Sequence, residues 1–404
     1  MTQTKLQQEL KDVEHISVVE LVEALIQEAN RALASDIHIH PVSKSVLVQF
    51  RIDGILRNAC ELPRNVYPEV ISRIKILADL RTDEHQSPQD GRFRTDIEGG
   101  GTVDIRVSIA PTYYGQNIVM RLLTEKKEEV TLATLGFGSK DREKIEQAIK
   151  RTHGMILVTG PTGSGKTTTL YTLIRMLNTG ESSVVTIEDP IEYALEEVEQ
   201  IQVNDQTSLT FANGLRCILR QDPDVIMVGE IRDAETARIS INAALTGHLL
   251  FSTLHTNDAA SNLPRLIDMG IEPYLIASTV NLVIGQRLMR KICPKCKTKN
   301  KISSIELKSL SEAIPPEALH DMKAYYHGKG CDACGGSGYS GRIGTQEVLV
   351  VSNEIREAIL RKASASEIQE LAVKNGMVTM VYDALEKAAS GITTIQEVLR
   401  VIHE

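Results

Sequence analysis

The sequence predicts an α/β protein with two large domains: an amino-terminal α+β domain, then a larger domain built on a parallel sheet flanked by helices. Three observations support this. The chain has 404 residues, more than one hydrophobic core usually organises. Hydrophobic residues make up 42% and charged residues 24%, a composition that supports packed cores. After the polar run at residues 124–129 the pattern also changes, from mostly strand-like segments to short apolar strands that alternate with helix-like segments.

The first domain opens with an amphipathic helix, because apolar residues recur at helical spacing over residues 17–34. Apolar and polar residues then alternate over residues 36–40 and 45–52, and Asp53-Gly54 supplies a turn, so a hairpin is expected. The domain is completed by a further helix and three strands, over residues 67–78, 92–97, 103–109 and 117–122.

Beyond the polar run, short apolar strands alternate with helical stretches, which is typical of a parallel sheet covered by helices. The predicted strands cover residues 155–159, 183–187, 225–228 and 249–253. A cysteine-, glycine- and lysine-rich stretch follows, and the remainder returns to helical patterning. The predicted division is a tail (1–16), an α+β domain (17–123), a linker (124–130), an α/β core (131–290), a cysteine-rich lobe (291–345) and a helical carboxyl-terminal domain (346–404).

The charge and hydropathy of the chain exclude some classes of function. A formal net charge of -8 gives no overall attraction to phosphate backbones, so no nucleic-acid partner is expected. No apolar run approaches the roughly 20 residues that span a bilayer, and residues 1–15 are too polar for a signal peptide. The sequence therefore predicts a cytoplasmic protein.

The segment Gly160-Pro-Thr-Gly-Ser-Gly-Lys-Thr167 matches GxxxxGK[ST] between an apolar strand and a helical run, the context that a phosphate-binding loop (P-loop) requires. In such a loop backbone amides converge on phosphate oxygens, Lys166 reaches the β and γ phosphates, and the Thr167 hydroxyl ligates Mg²⁺. The alternative, a glycine-rich turn that binds nothing, is disfavoured by these flanks. The predicted nucleotide-contacting residues are Gly160, Pro161, Thr162, Gly163, Ser164, Gly165, Lys166, Thr167 and Thr168.

Acidic residues follow two of the predicted strands. The strand over residues 225–228 is followed by Gly229-Glu230, and an earlier strand is followed by Glu188-Asp189. Ligands bind at the carboxyl ends of parallel strands, so we expect Glu230 near the magnesium ion and a carboxylate of the other pair near the attacking water. The alternative is that these acids only cap the segments that follow. Their convergence beside a P-loop favours the catalytic interpretation.

Histidines flank one strand and lie within another. His248 and His255 border the strand at residues 249–253 and are candidates for sensing the γ-phosphate or linking it to a subunit boundary. A single histidine is more often structural, and that alternative stays open. His38 and His40 share one face of a strand, but no third metal ligand is evident nearby, so we interpret them as ordinary strand residues.

Four of the six cysteines form two CxxC pairs, separated by residues 297–330. In a reducing compartment this pattern favours a tetrahedral zinc site over disulfides. Redox-active CxxC motifs and unligated cysteines are the competing interpretations. The stretch between the pairs is longer than a minimal zinc ribbon needs, so a small lobe is expected. The predicted zinc ligands are Cys293, Cys296, Cys331 and Cys334.

Arginines offer the remaining phosphate chemistry, because a planar guanidinium stabilises charge on a phosphoryl group during transfer. For any single arginine the default is a solvated surface residue, and the sequence pattern alone does not separate the candidates. These candidates are Arg92, Arg94, Arg106, Arg121, Arg216 and Arg220.

Taken in order, these motifs resemble the type II secretion and type IV pilus assembly ATPase family of secretion motors. The resemblance covers essentially the whole chain, from Ser35-Asp-Ile-His-Ile-His-Pro to Gly391-Ile-Thr-Thr-Ile-Gln-Glu-Val398. It implies a RecA-like P-loop ATPase domain with a PAS-like amino-terminal α+β domain, a tetracysteine zinc lobe and a helical carboxyl-terminal domain. Its most specific stretches cover residues 160–167, 186–192, 219–233 and 245–256.

The resemblance also implies roles for particular residues. Residues 160–167 would be the Walker A motif, Glu188 the catalytic carboxylate of an aspartate box, and Glu230 the end of the Walker B motif. A histidine box would run from His248 to His255. The implied cofactors are ATP, Mg²⁺ and Zn²⁺. The arginines that would approach the phosphates are Arg92 and Arg106 from the amino-terminal domain, with Arg216 and Arg220 from the ATPase domain.

As an assembly, the resemblance implies a ring of six copies. Hydrolysis would move the two main domains against each other, and the ring would pass this motion to an inner-membrane platform protein that adds pilin subunits. A membrane-recruitment protein would hold the cytoplasmic ring peripherally at the inner membrane. Longer members of the family carry a further amino-terminal docking domain, for which residues 1–16 are too few.

Three alternative functions are open at this point. A pilus retraction motor shares the ATP site, although retraction members typically lack the tetracysteine lobe. A nucleic-acid translocase would use a similar fold, but the acidic charge and the few large aromatics (Trp 0, Phe 5) disfavour it. A nucleotide-dependent switch with negligible turnover is disfavoured by the retained carboxylates Glu188 and Glu230.

Overall fold

The structure is a computed structural model that describes residues 17–98, 101–124, 130–178, 180–300 and 325–403. These residues form two compact units that divide between Glu129 and Val130, within the predicted linker. The predicted tail, most of the linker and residues 301–324 of the predicted lobe lie outside the described residues. The two units are described separately.

The first unit is an antiparallel sheet packed against two helices. In chain order its elements are α1 (Val18–Arg31), β1 (Ala34–Pro41), β2 (Val46–Ile52), β3 (Ile55–Leu62), α2 (Tyr67–Leu77), β4 (Gln89–Asp96), β5 (Thr102–Thr112) and β6 (Gly115–Thr124). The strand order is β3-β2-β1-β6-β5-β4. Ser17 caps helix α1, because its hydroxyl accepts a hydrogen bond from the Glu20 amide, and the helix buries its apolar face in the core. The predicted α+β fold is confirmed.

Strand β3 was not predicted. The Asp53-Gly54 turn does occur, but it joins β2 to β3, and β2 pairs with β3 from Ile52↔Ile55 onward. Most of β3 is exposed to solvent because it lies at the edge of the sheet. An edge strand of this kind lacks the regular apolar alternation from which strands are recognised in a sequence.

The second unit contains a seven-stranded sheet with helices on both faces. It begins with α3 (Leu132–Leu135), α4 (Ser139–Ile149), β7 (Gly154–Thr159), α5 (Lys166–Leu177), β8 (Val184–Glu188), β9 (Glu199–Gln202), α6 (Phe211–Ile218), β10 (Val225–Val228), α7 (Ala234–Leu245) and β11 (Leu249–Leu254). It continues with α8 (Asn262–Asp268), α9 (Pro273–Thr279), β12 (Val280–Ile292) and, after the cysteine-rich stretch, β15 (Tyr339–Val350).

The strand order is β15-β12-β7-β11-β10-β8-β9, and only β15 runs antiparallel to its neighbour. Strand β7 shows how the sheet is packed. Met155 and Leu157 enter one core, whereas Ile156 and Val158 enter the core on the opposite face. A strand covered on both faces is apolar throughout, as this one is. The predicted RecA-like α/β fold is therefore confirmed.

The long antiparallel pair of β12 and β15 was not predicted. It extends from the central sheet to the cysteines, since Cys293 directly follows β12 and its amide donates to the carbonyl of Gly338 (2.9 Å). A small sheet of β13 (Lys297–Asn300) and β14 (Tyr325–Gly328) is formed by residues that lie between the two CxxC pairs in the sequence. Strand β15 crosses the predicted boundary at residue 345, so the cysteine-rich region is an extension of the seven-stranded sheet.

The carboxyl-terminal region is helical, as predicted. Its helices are α10 (Asn353–Leu360), α11 (Ala365–Lys374), α12 (Met380–Ala389) and α13 (Ile395–His403). The last two pack with Met289 of β12 in a small core of their own, and the buried Glu397 accepts from Arg290 at 2.6 Å. Among the described residues, no helix combines the length and the apolar character needed to cross a membrane.

Candidate active site and tetracysteine cluster

The P-loop is the turn between β7 and α5, as the motif predicts. Gly160 and Gly165 have φ of +145° and +88°, in the left-handed region that favours glycine. Lys166 is the first residue of α5. The amide groups of a helix's first turn have no partner within the helix, so a glycine-rich loop that opens onto a helix can bind an anion. The backbone therefore has the form of a phosphate cradle.

Lys166 folds back over this loop. Its Nζ donates to the backbone carbonyls of Gly160 (2.9 Å) and Pro161 (3.1 Å). Burial lowers the pKa of Lys166, while the negative charge of the nearby Glu230 acts in the opposite direction. The ammonium group is thus held against the loop and is within electrostatic reach of the carboxylate of Glu230.

Glu230 follows β10 and has two side-chain partners, a positively charged arginine and an ionisable histidine. Its Oε1 accepts from Arg232 Nη2 at 2.6 Å, and its Oε2 lies 3.3 Å from His255 Nε2. Burial raises the pKa of Glu230, but the hydrogen bonds and charges of Arg232 and His255 outweigh burial and hold the pKa below its ordinary value. Glu230 is therefore ionised at neutral pH, the form in which a carboxyl group binds Mg²⁺.

Glu188 ends the neighbouring strand β8 in a different environment. It is only 3% exposed, and both of its carboxylate oxygens accept hydrogen bonds. Oε1 accepts from Thr186 Oγ1 (2.7 Å) and Gln200 Nε2 (3.0 Å), and Oε2 accepts from the Tyr171 hydroxyl. The structure thus places the predicted catalytic carboxylate among three neutral donors. Its role in catalysis stays a prediction.

The two predicted histidines lie at opposite ends of β11. His255 follows the carboxyl end and contacts Glu230, as described above. His248 precedes the other end, where its Nδ1 lies 2.9 Å from the carbonyl of Ala243. Six residues of strand separate them, which corresponds to roughly 20 Å at about 3.3 Å per residue. The structure therefore brings His255, and not His248, to the P-loop end of the sheet.

Arg216 and Arg220 lie on and directly after helix α6. Arg216 Nη2 is 2.5 Å from Glu235 Oε1 at the start of α7, and Arg220 Nη1 donates to the carbonyl of Arg216 (2.8 Å). Both side chains are thus engaged on the surface of the α6 region. Their contribution to phosphate binding stays a prediction.

In the first unit, arginines form a row across one face of the sheet. Arg92, Arg106 and Arg121 stand directly opposite one another on β4, β5 and β6. Adjacent like charges are unfavourable unless anionic groups are close. Here Asp104 accepts from Arg92 Nε (2.9 Å) and Asp36 accepts from Arg121 Nε (3.0 Å). The approach of Arg92 and Arg106 to a nucleotide stays a prediction.

The four predicted zinc ligands do come together, with their sulfur atoms all within 4.8 Å of one another. Cys293 and Cys331 are 3.9 Å apart at sulfur, as are Cys296 and Cys334. A tetrahedral Zn–S₄ centre with bonds of about 2.3 Å separates its sulfurs by roughly 3.8 Å, whereas a disulfide requires about 2.05 Å. The amides of Cys331 and Gly338 also donate to Cys334 Sγ, each at 3.2 Å. The cluster therefore fits a tetrahedral metal ion and contains no disulfide.

Three partners of the site carboxylates, Arg232, Tyr171 and Gln200, were missed in the sequence. Arg232 joins Glu230 to Asp189, whose Oδ2 lies 3.4 Å from Arg232 Nη1. Its place two residues after Glu230 is a signal that could have identified it. Tyr171 lies one helical turn after Thr167 and had no comparable signal, since its partner Glu188 is defined only by the fold.

A P-loop at the carboxyl end of an interior strand of a parallel sheet, with a glutamate near its lysine, is the arrangement of a P-loop ATPase. Comparison with known proteins gives the family. A family model described as "Type II/IV secretion system protein" matches residues 11–400, and the chain belongs to this family.

Individual relatives agree with this assignment. Type II secretion system protein E of Dickeya dadantii is 44% identical over 96% of this chain and 76% of its own length. The type IV pilus assembly ATPase PilB of Myxococcus xanthus is 42% identical over 96% of this chain and 68% of its own length. Among solved structures, the pilus retraction motor PilT with bound ADP has a TM-score of 0.61 at 26% identity, over 94% of this chain and 96% of that one. The ATPase DotB of Legionella pneumophila shares the fold, with a TM-score of 0.70 at 24% identity over 96% of this chain and 97% of that one.

Proposed function

We propose that this chain is a motor that hydrolyses ATP to power the assembly of pilin or pseudopilin subunits in type II secretion or type IV pilus formation. The observation that carries the proposal is the meeting of Lys166, Glu230 and His255 beside the P-loop. Relatives that are 44% and 42% identical over 96% of the chain are named for these two systems.

The chemistry follows from the arrangement of these groups. The amides of the P-loop would hold the phosphates of ATP, Lys166 would neutralise the β and γ phosphates, and Thr167 would ligate Mg²⁺. Glu230, ionised and close to Lys166, would act on the same ion directly or through water. His255 would then connect this carboxylate to the γ-phosphate. For the attacking water, Glu188 is the predicted carboxylate.

The tetracysteine cluster would hold Zn²⁺ through Cys293, Cys296, Cys331 and Cys334. Zinc bound by four thiolates is structural, because it leaves no position open for a substrate. Its role would be to fix the far end of the β12–β15 pair. Since retraction members of the family typically lack these cysteines, the cluster favours assembly over retraction.

We further propose a homo-hexamer that works in the cytoplasm against the inner membrane. Its partners would be an inner-membrane platform protein and a membrane-recruitment protein, and no nucleic acid. In the ring, arginines of the row on β4 and β5 would contribute to hydrolysis, as the family resemblance implies for Arg92 and Arg106.

The test measures Mg²⁺-dependent ATP hydrolysis as a function of protein concentration, with the zinc content determined on the same samples. We expect specific activity to rise as the protein assembles, Lys166→Ala to abolish it, and about one zinc ion per chain. Lys144→Ala is a matched control, because Lys144 pairs with Asp141 (2.8 Å) on helix α4 of the same unit. Turnover that survives Lys166→Ala, or that requires DNA, would refute the proposal.

A further inference from the structure

A buried glutamine on β12 contacts the P-loop from the neighbouring strand. Strands β12 and β7 run parallel with Gly285 paired to Thr159, so Gln286 lies at the level where the loop begins. Gln286 is 3% exposed. Its Nε2 donates to the carbonyl of Ser164 (2.8 Å), and its Oε1 accepts from Thr169 Oγ1 (2.8 Å). One amide group therefore joins the end of the loop to the first turns of α5.

The backbone of Gln286 contacts the start of the same loop. A Cβ atom built on Gly160 would come within 2.3 Å of the Gln286 carbonyl oxygen, and one built on Gly165 would lie 3.3 Å from Nε2. The loop thus packs against this single residue at both of its ends. Only glycine at position 160 permits so close an approach, in addition to its positive φ.

The anchored carbonyl determines where an amide points. In a planar trans peptide the C=O of one residue and the N–H of the next point in opposite directions. Because the Ser164 carbonyl is bonded to Gln286, the N–H of Gly165 is directed away from β12. This is the orientation that lets it donate to an anion in the loop.

We propose that Gln286 is a positioning residue for phosphate binding: it holds the P-loop in the conformation in which the Gly165 amide faces the phosphates. The inference rests on the proposed binding of a nucleotide at residues 160–168. Gln286 itself does not touch the nucleotide. Its effect passes through the peptide between Ser164 and Gly165 and through Thr169.

The chain offers a matched control on the adjacent strand. Gln346 stands directly opposite Gln286 on β15 and is also 3% exposed. Its amide is bonded elsewhere, with Nε2 donating to the carbonyl of Leu135 (2.9 Å) and Oε1 accepting from Lys387 Nζ (3.0 Å). Replacing either glutamine by methionine removes two buried hydrogen bonds and keeps the side-chain length. Only one of the replacements releases the P-loop.

The experiment compares Gln286→Met and Gln346→Met in the full chain. Mg-ADP affinity is measured by titration, and the urea midpoint of unfolding is measured without nucleotide. We expect both variants to unfold at lower urea concentration, and only Gln286→Met to bind Mg-ADP at least tenfold more weakly. Thr169→Val removes only the donor to Oε1 and should weaken binding less. The double variant Thr169→Val/Gln286→Met should bind Mg-ADP no more weakly than Gln286→Met alone, because Thr169 and Gln286 share one hydrogen bond.

Different failures have different meanings. If the unaltered chain does not bind Mg-ADP, the proposed function is wrong and the inference falls with it. If the unaltered chain binds and Gln286→Met binds equally well, Gln286 only packs the core and the positioning role is refuted. Should Gln286→Met fail to fold, Thr169→Val decides: unchanged Mg-ADP affinity refutes the role, and weakened affinity with an unchanged urea midpoint supports it.

Discussion

Strands β8 and β10 are neighbours in the parallel sheet. Glu188 is the last residue of β8 and Glu230 lies two residues after β10, yet the two carboxylates have different kinds of hydrogen-bond partner. Glu188 is buried and receives hydrogen bonds from three neutral groups. Glu230 keeps 15% of its side chain exposed and is bonded to a guanidinium group and an imidazole. The neutral donors around Glu188 are Tyr171, Thr186 and Gln200.

The difference shows which carboxylate can exchange its partners. The Arg232 side chain is 56% exposed, and an exposed ion pair contributes only about 0–1 kcal/mol. Glu230 can therefore leave Arg232 for a metal ion at little cost. The buried hydroxyls of Tyr171 and Thr186 would by contrast be left without an acceptor in the interior, at a cost of about 1–3 kcal/mol each. Glu230 can therefore exchange its partners, whereas the hydrogen bonds of Glu188 join β8 to α5 and β9.

The sharpest test of this comparison is Glu230→Gln. We expect turnover to fall by on the order of 10³-fold, or about 4 kcal/mol, because the neutral amide cannot replace an ionised metal ligand. The urea midpoint should change little, since only an exposed ion pair is lost. Both quantities are measured on one preparation. Glu367→Gln, which breaks the Arg361–Glu367 ion pair (2.5 Å) far along the chain, is the control and should retain turnover. Equal losses in the two variants would contradict the special role of Glu230.

The next largest effect is expected from Glu188→Ala, on stability. The free energy of unfolding should fall by about 3 kcal/mol, because the buried hydroxyls of Tyr171 and Thr186 lose their acceptor and a cavity forms. Urea denaturation measures this loss. Glu230→Ala is the matched comparison and should cost less than about 1 kcal/mol. Equal costs at the two positions would show that burial of Glu188 does not distinguish the two strand ends.

Glu188→Gln separates structure from chemistry at the same position. It keeps the size of the side chain and one acceptor oxygen, and the hydroxyls of Tyr171 and Thr186 can rotate to accept from the new amide. We expect it to fold and to lose turnover if Glu188 is the catalytic carboxylate. If turnover persists, the half-buried Glu192 in the same segment becomes the candidate base.

Much of the fold could be predicted because its signals are local. Strand β10 has the predicted bounds, and the P-loop lies where its motif and flanks placed it. Strand β12 could not be recognised in this way. Nearly all of its 13 residues are buried or half-buried on both faces, and it follows helix α9 without a loop, so neither alternation nor a turn marks it. The anchoring of the P-loop by Gln286 was missed for the same reason.

The environment of a site residue is harder to predict than its presence. Glu188 was recognised from its place after an apolar strand, but its partners Tyr171 and Gln200 are 17 residues before and 12 residues after it. Only the pairing of β8 with β9 and the packing of α5 bring the three together. The cysteine cluster was predictable because residue type and spacing are sufficient to define a metal site.

The smallest effect expected from the comparison concerns pH. The pKa of Glu230 is below its ordinary value in the folded chain, so its ion pairs stabilise the fold above the unfolded-state pKa, near 4.3, and this contribution disappears as the pH falls through the lower folded-state pKa. The difference in free energy of unfolding between the unaltered chain and Glu230→Gln is therefore followed from pH 5 downwards, below the range in which histidines usually change charge. Below pH 4.3 the unaltered chain should lose up to about 1 kcal/mol relative to the variant, a small amount because Arg232 is exposed to solvent. Urea midpoints at pH 5, 4 and 3 measure the difference. A relative gain for the unaltered chain as the pH falls would mean that burial, rather than Arg232 and His255, controls the Glu230 carboxylate.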